Sequence, residues 1–180
     1  MSASEPERLS RQALERILAL HAQHLDSEGD EGEAADLSLY TIEDYDFSEL
    51  ELDEVHFDDS VLRRCIFASA ELARANFSET QAAGTNFAHA CLLKAEIHSA
   101  QLGGACFNGA ILARAMVVGT DLRGATFRDA DLHDAVFARC DLRGAIFDGA
   151  NVERTVFSDC QLDGASWADV QGDAEEQVSE

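Results

Sequence analysis

The chain has 180 residues and a mass of 19.5 kDa, enough for one domain with short terminal extensions. Its 35 acidic and 13 basic residues give a formal net charge of -22, which argues against a surface built to hold nucleic acid. Met1 is followed by polar residues and no long apolar run occurs, so neither a secretion signal nor a membrane span is expected; a soluble, cytoplasmic protein is the expectation.

Residues 1–26 read as an α-helix. Ser4 followed by Glu7 gives a capping box, with Pro6 in the first turn. Leu9, Ala13, Ile17 and Leu20 with Leu14, Leu18 and Leu25 form a broad apolar stripe, suited to closing the end of a hydrophobic core. His21 and His24 read as surface or cap residues, because no further metal-ligand set accompanies them. Residues 27–34, with two glycines and several acids, read as an acidic loop, and the glycine spacing does not fit a calcium loop.

From Ala35 to Asp169 a five-residue unit repeats without a break. Every residue whose number ends in 2 or 7 from Leu37 to Trp167 is large and apolar, except Ala82. The column holds Phe47, Phe67, Phe87, Phe107, Phe127, Phe147 and Trp167, and also Leu52, Leu72, Leu92, Leu112 and Leu132. Two residues before each stands a multiple of five, always small from Cys65 to Ala165. These small residues define site 1 and the large apolar column site 3; sites 2, 4 and 5 complete the unit. The first units depart at site 1, with Tyr40, Tyr45, Leu50 and Val55, which suggests a region moulded to the leader helix. A period of five fits neither helix nor strand, and points instead to a solenoid whose coils stack to share one core.

Site 3 alternates Phe and Leu over much of its length, a ten-residue superperiod; were four units to make one coil, Phe would line two opposite sides and Leu the other two, filling the interior without a ligand cavity. Gly84, Gly104, Gly124, Gly144 and Gly164 then share site 5 on one side, where type II turns are expected. Cys65, Cys140 and Cys160 fall at the small site 1, Cys91 and Cys106 at site 2, and all five read as reduced thiols. Beyond the repeats, residues 170–180 read as a disordered acidic tail.

Tandem units such as Ala130-Asp131-Leu132-His133-Asp134 resemble the pentapeptide-repeat family. That resemblance implies an all-β solenoid, a right-handed quadrilateral β-helix of about 6.75 coils with an N-terminal capping α-helix, roughly 32 Å long at the spacing of stacked strands. It also implies inward sites 1 and 3 and outward sites 2, 4 and 5. The leader, with His21, His24-Leu25, Glu28-Gly29 and Gly32 ahead of Ala35, resembles leaders of other family members and places the boundary near Ala35.

Charge is uneven. Residues 26–59 contain 15 acids and no base, whereas residues 60–168 contain 12 acids and 10 bases. Duplex DNA of the same length as the second stretch would carry on the order of 15 negative charges. A net of two, even with Asp121, Asp131, Asp134 and Asp141 close together, does not make the whole rod a DNA surrogate. Outward bases form columns, Arg74, Lys94, Arg114 and Arg154 on one side and Arg123 with Arg143 on another, which read as a solvated surface. The lone His98 and His133 sit on separate units, with no paired acid/base groups and no cofactor motif, so no enzyme, cofactor or metal is expected.

The leading expectation is a non-catalytic scaffold that binds a protein partner through Asp44, Asp46, Glu51, Asp53 and Glu54, through an apolar ladder of Met116, Val136 and Val156 with Val118 beside it, or through both. The ladder also suits a homodimer. What the family resemblance implies as an alternative is a DNA mimic that binds a type II topoisomerase such as gyrase and gives resistance or self-immunity to its poisons. A purely structural domain whose acidity serves solubility is the third reading.

Overall fold

Period five in the sequence becomes period twenty in space. The computed structural model describes residues 6–173 and 175–177. Asp36 pairs in parallel with His56, Glu51 with Glu71, Ile111 with Asp131, each twenty residues ahead. Site 3 and site 5 amides donate forward, as Leu52 N to Glu71 O (2.7 Å) and Glu54 N to Ala73 O (2.9 Å), while site 2 donates back, as Glu71 N to Leu50 O (3.0 Å). The result is a quadrilateral β-helix with an N-terminal helix.

In chain order the elements are β1 (Glu7–Arg8), α1 (Arg11–Asp26), β2 (Tyr40–Glu43), β3 (Val61–Arg63), β4 (Glu96–His98), β5 (Met116–Val118), β6 (Val136–Ala138), β7 (Val156–Ser158) and β8 (Glu175–Gln177). They form two parallel sheets, β1-β2-β3 and β4-β5-β6-β7-β8; elsewhere the sides are single bridges joined by turns.

Inside, the two aromatic columns lie on opposite sides. Phe47, Phe67, Phe87, Phe107, Phe127 and Phe147 stack nearly parallel with ring centroids 4.6 to 5.1 Å apart, and Trp167 closes the stack on Phe147 at 4.2 Å. Rings of the opposite column meet them edge-on, as Phe57 meets Phe67 at 5.5 Å and 87°. Leu52, Leu72, Leu92, Leu112 and Leu132 are buried on a third side, and Ala82, also fully buried, belongs to the column opposite them.

Site 5 is left-handed on all four sides. At Gly124 φ is +66°, and Ala125 N donates to Leu122 O (3.0 Å), which is the type II pattern expected there. Asp44 and Arg74 adopt the same conformation without being glycine (φ +53° and +60°). Along β4 to β7 the turn differs: no Thr120 N to Val117 O bond closes it. The spare site 3 carbonyls are taken instead by side chains one coil later, Thr120 Oγ1 on Ile97 O (3.1 Å), Cys140 Sγ on Val117 O (3.4 Å) and Cys160 Sγ on Phe137 O (3.3 Å). Site 1 is thus small for packing and also, at these units, a hydrogen-bond donor. All five cysteines are free, and burial pushes the Cys65 thiol up to about 11.

The leader departs from its expected form. Ser10, not Ser4, caps the helix, Ala13 N donating to Ser10 Oγ (3.2 Å); Ser4 lies outside the described residues. Pro6 precedes β1 rather than entering a helical turn, and β1 adds to β2 with Glu7 opposite Tyr40 and Arg8 opposite Thr41. Leu9 N to Thr41 O (3.0 Å) and Thr41 Oγ1 to Pro6 O (3.1 Å) secure it. Tyr40, Tyr45 and Leu50 pack partly buried against the core into which the helix inserts Leu14, and Arg11 of the helix lies over the Tyr45 ring. At the other end the ladder runs past the expected boundary: Gln171 bridges Asn151, and β8 lies along β7 where a disordered tail was expected, because β7 still offers unpaired backbone there. Residues 174 and 178–180 lie outside the described residues.

His21 is not a surface residue. It is buried, and Ala35 N donates to its Nδ1 (3.1 Å), tying α1 to the first coil through a neutral imidazole. Burial, then His24, lowers its pKa from 6.5. The unfolded chain therefore takes up the proton first, so this contribution is complete above pH 6.5 and is lost as pH falls below it. His21→Leu is expected to cost about 1–3 kcal/mol at pH 7.5, by leaving Ala35 N–H unpaired. It should also flatten the stability loss between pH 7.5 and 5.5, and denaturant melts at both values would show it; equal pH slopes would count against the assignment.

Candidate protein-binding surfaces

Five acids of the first coil carry the leading functional expectation, and the coil distributes them over three sides. Asp44 stands at the corner after β2, Asp46 on the Phe47 side, and Glu51, Asp53 and Glu54 together on the Leu52 side. Two are neutralised from the next coil: Arg64 chelates Asp44 (2.6 and 2.7 Å), and Arg74 reaches Glu54 (2.7 Å). Arg64 accordingly holds the Asp44 carboxyl below the ordinary carboxylate value, and the hydroxyl and backbone N–H of Ser48 do the same for Asp46. Glu43 is likewise shared by Arg63 (3.0 Å) and Arg8 (2.8 Å). The acidic stretch and the arginines after it are separate in sequence but adjacent in space.

What remains bare lies around Glu51 and Asp53. Asp53 accepts from Ala73 N (2.9 Å), Glu51 is exposed opposite Glu71, and Glu49 occupies the adjoining corner. Among the described residues no base pairs with Glu49, Glu51, Asp53 or Glu71. Glu49 and Glu71 were not singled out from sequence, although Glu71 follows Glu51 by one coil and the twenty-residue register contains that signal.

Farther along, many of the acids are compensated. Arg123 and Arg143 chelate Asp121 and Asp141 two residues before them (2.6 Å each), His133 Nδ1 lies 2.9 Å from Asp131, and Asp134 meets Arg154 at 2.6 Å and Arg114 at 3.7 Å. The arginine columns read from sequence are therefore halves of ion-pair ladders. Such exposed pairs contribute roughly 0–1 kcal/mol each, but they remove any continuous field along this part of the rod.

The apolar ladder is continuous. β5, β6 and β7 set Met116 against Val136 and Val136 against Val156, with Val118 against Ala138 in the parallel column. Met116 is 47% exposed and the valines are half-buried. Among the described residues no group of three or more His, Cys, Asp or Glu could hold a metal ion, and no helix is long and apolar enough to cross a membrane.

Two family profiles match the sequence: one described as "Pentapeptide repeat region" over residues 94–167, the other as "Pentapeptide repeats (8 copies)" over residues 46–80 and 70–109. No curated protein matches it. Among solved structures, a trypsin-treated variant of QnrB1, a plasmid-mediated fluoroquinolone resistance protein, is similar at 19% identity and a TM-score of 0.54, covering 72% of this chain and 69% of that one. Full-length QnrB1 is similar at 21% identity and 0.50, covering 77% and 83%. HetL, involved in heterocyst differentiation regulation in the cyanobacterium Nostoc sp. strain PCC 7120, is 18% identical with a TM-score of 0.45 over 83% and 92%.

Proposed function

Because this chain belongs to the pentapeptide-repeat family and its first coils carry, beside the paired Asp44 and Glu54, carboxylates that no base among the described residues neutralises, we propose that it is a non-catalytic regulator that docks by its acidic N-terminal end on a protein built to hold duplex DNA. A type II topoisomerase is the first partner to test. The observation that carries this reading is the cluster of Glu49, Glu51, Asp53 and Glu71, in which the exposed Glu51 and Glu71 face each other across the coil spacing of roughly 4.8 Å. A fluoroquinolone resistance protein with the same rod supports the choice of partner through its shape alone. Mimicry on this reading is confined to one end, since Asp121, Asp134, Asp141 and Asp148 farther along the rod are paired with arginine.

The test is a gyrase supercoiling titration, with and without a drug that stabilises the cleaved complex. Inhibition or protection from the drug at low micromolar protein is expected. A variant carrying Glu49→Gln, Glu51→Gln, Asp53→Asn and Glu71→Gln should need about ten-fold more protein, equivalent to about 1.4 kcal/mol. Wild-type protein without effect would reject the topoisomerase and redirect the search to affinity capture.

A further inference from the structure

Of the five cysteines, only Cys140 and Cys160 stand one coil apart in the same column. The strands that lead into them, β6 and β7, pair in register, Val136 with Val156 and Ala138 with Ser158. The two thiols also do the same work one coil apart, Cys140 Sγ donating to Val117 O (3.4 Å) and Cys160 Sγ to Phe137 O (3.3 Å). Stacking sets their Cα atoms about 4.8 Å apart, inside the roughly 4.4–6.8 Å that a disulfide spans. Burial distinguishes them. Cys140 is 1% exposed, whereas Cys160 is half-buried, which leaves it within reach of a small solute.

We propose that Cys140 and Cys160 form a redox site, which a hydroperoxide oxidises to a disulfide joining the two coils. Cys160 is the attacking thiol and Cys140 the resolving one. The Cys160 thiolate attacks one peroxide oxygen and the O–O bond breaks. The other oxygen leaves as hydroxide, which makes water with the proton that Cys160 gave up, and Cys160 becomes a sulfenic acid. The Cys140 sulfur then attacks the Cys160 sulfur, the S–O bond breaks, and the departing hydroxide makes a second water with the Cys140 proton. Two electrons pass from the pair to the peroxide.

The surroundings of each sulfur assign these roles. A hydrogen bond between the two holds the Cys160 thiol below its ordinary value and raises that of Cys140, which burial raises further. Thiolate character and access thus coincide at Cys160. Cys65 has neither: it is 2% exposed, burial pushes its thiol up to about 11, and Tyr45 and Thr85 stand one coil away on either side. Cys91 is stacked between Glu71 and Ile111, and Cys106 between Asn86 and Thr126, so neither has a resolving thiol beside it.

Closing the bond turns both sulfurs away from Val117 O and Phe137 O, the carbonyls they now serve. Buried acceptors left without a donor cost stability, so this disulfide is readily reduced by a thiol and acts as a reversible tie. The inference is independent of the topoisomerase reading, which uses the Leu52 side of the first coils.

Peroxide treatment of the reduced full chain tests it. After exposure to hydrogen peroxide, unfolding and alkylation with iodoacetamide, mass spectrometry is expected to show a crosslink between Cys140 and Cys160, with the loss of two hydrogens, that dithiothreitol removes. Cys140→Ser should abolish the crosslink and leave a sulfenic acid on Cys160 that dimedone traps, and Cys160→Ser should leave Cys140 unoxidised. Each serine keeps a donor for its strand carbonyl, so unchanged thermal melts are expected of both variants. Cys140 and Cys160 still fully alkylated after an exposure that oxidises free cysteine would overturn the proposal. Dimedone on Cys140 in the Cys160→Ser variant would overturn the assignment of roles.

Discussion

Phe67→Ala is expected to lower the stability of the rod by about 3–5 kcal/mol, the cost of deleting a fully packed aromatic side chain and leaving its cavity. Phe67 stacks on Phe47 at 4.6 Å and on Phe87 at 5.1 Å, and its edges meet Phe57 at 5.5 Å and Phe77 at 6.0 Å. Four rings therefore lose a neighbour at once, and backbone pairing with both adjacent coils prevents them from closing the gap. Against a total stability of roughly 5–15 kcal/mol, the change is large. Urea denaturation with an unchanged slope and a shifted midpoint would establish it; a loss below about 1 kcal/mol would show that the coils collapse more freely than the hydrogen-bond ladder implies.

Leu14→Asp should have a comparable effect on one end of the rod. Leu14 is 2% exposed and is the helix residue that joins the core of the coil. Truncation alone would cost about 2–5 kcal/mol, and a carboxylate with no partner in that position adds the penalty of an uncompensated buried charge. Because each coil contacts only its neighbours, the damage should remain local. Hydrogen exchange is the appropriate probe: amides of Phe47 and Leu52 should lose protection, while those of Phe107 and Phe127 keep it. Uniform loss along the chain would mean that cap and rod unfold as one unit.

The inward columns were legible because each unit repeats the same demand, a small residue where the chain bends inward and a large one at the centre of each side. Four units per coil came with the pentapeptide-repeat resemblance, and glycine at every twentieth residue and the Phe/Leu alternation agree with it. Three features were less accessible. Glu7 and Arg8 have no strand signature, and β1 exists because β2 offers unpaired backbone groups and Thr41 reaches Pro6 O. Thr120, Cys140 and Cys160 at site 1 looked merely small, although they donate to the carbonyls left free where a strand replaces a closed turn. Charge counted by segment misled most, since Asp44 and Arg64, or Glu54 and Arg74, are twenty residues apart and in contact. Site reasoning in such a chain has to be carried out on the coiled register.

Within the coils every ladder contact joins a residue to one twenty positions away, and the two terminal strands add to the ends of the same ladders, β1 on β2 and β8 on β7. Length is therefore a free coordinate of this architecture. Excising or duplicating any twenty consecutive residues between β3 and β7 returns each side chain to the same side, with its neighbours above and below still in phase, whereas a change of one residue rotates everything beyond it out of place. The distance between the acidic end and the apolar strip is thus quantised in coils, and the chain serves as a ruler that genetic duplication can extend or shorten without redesigning either end.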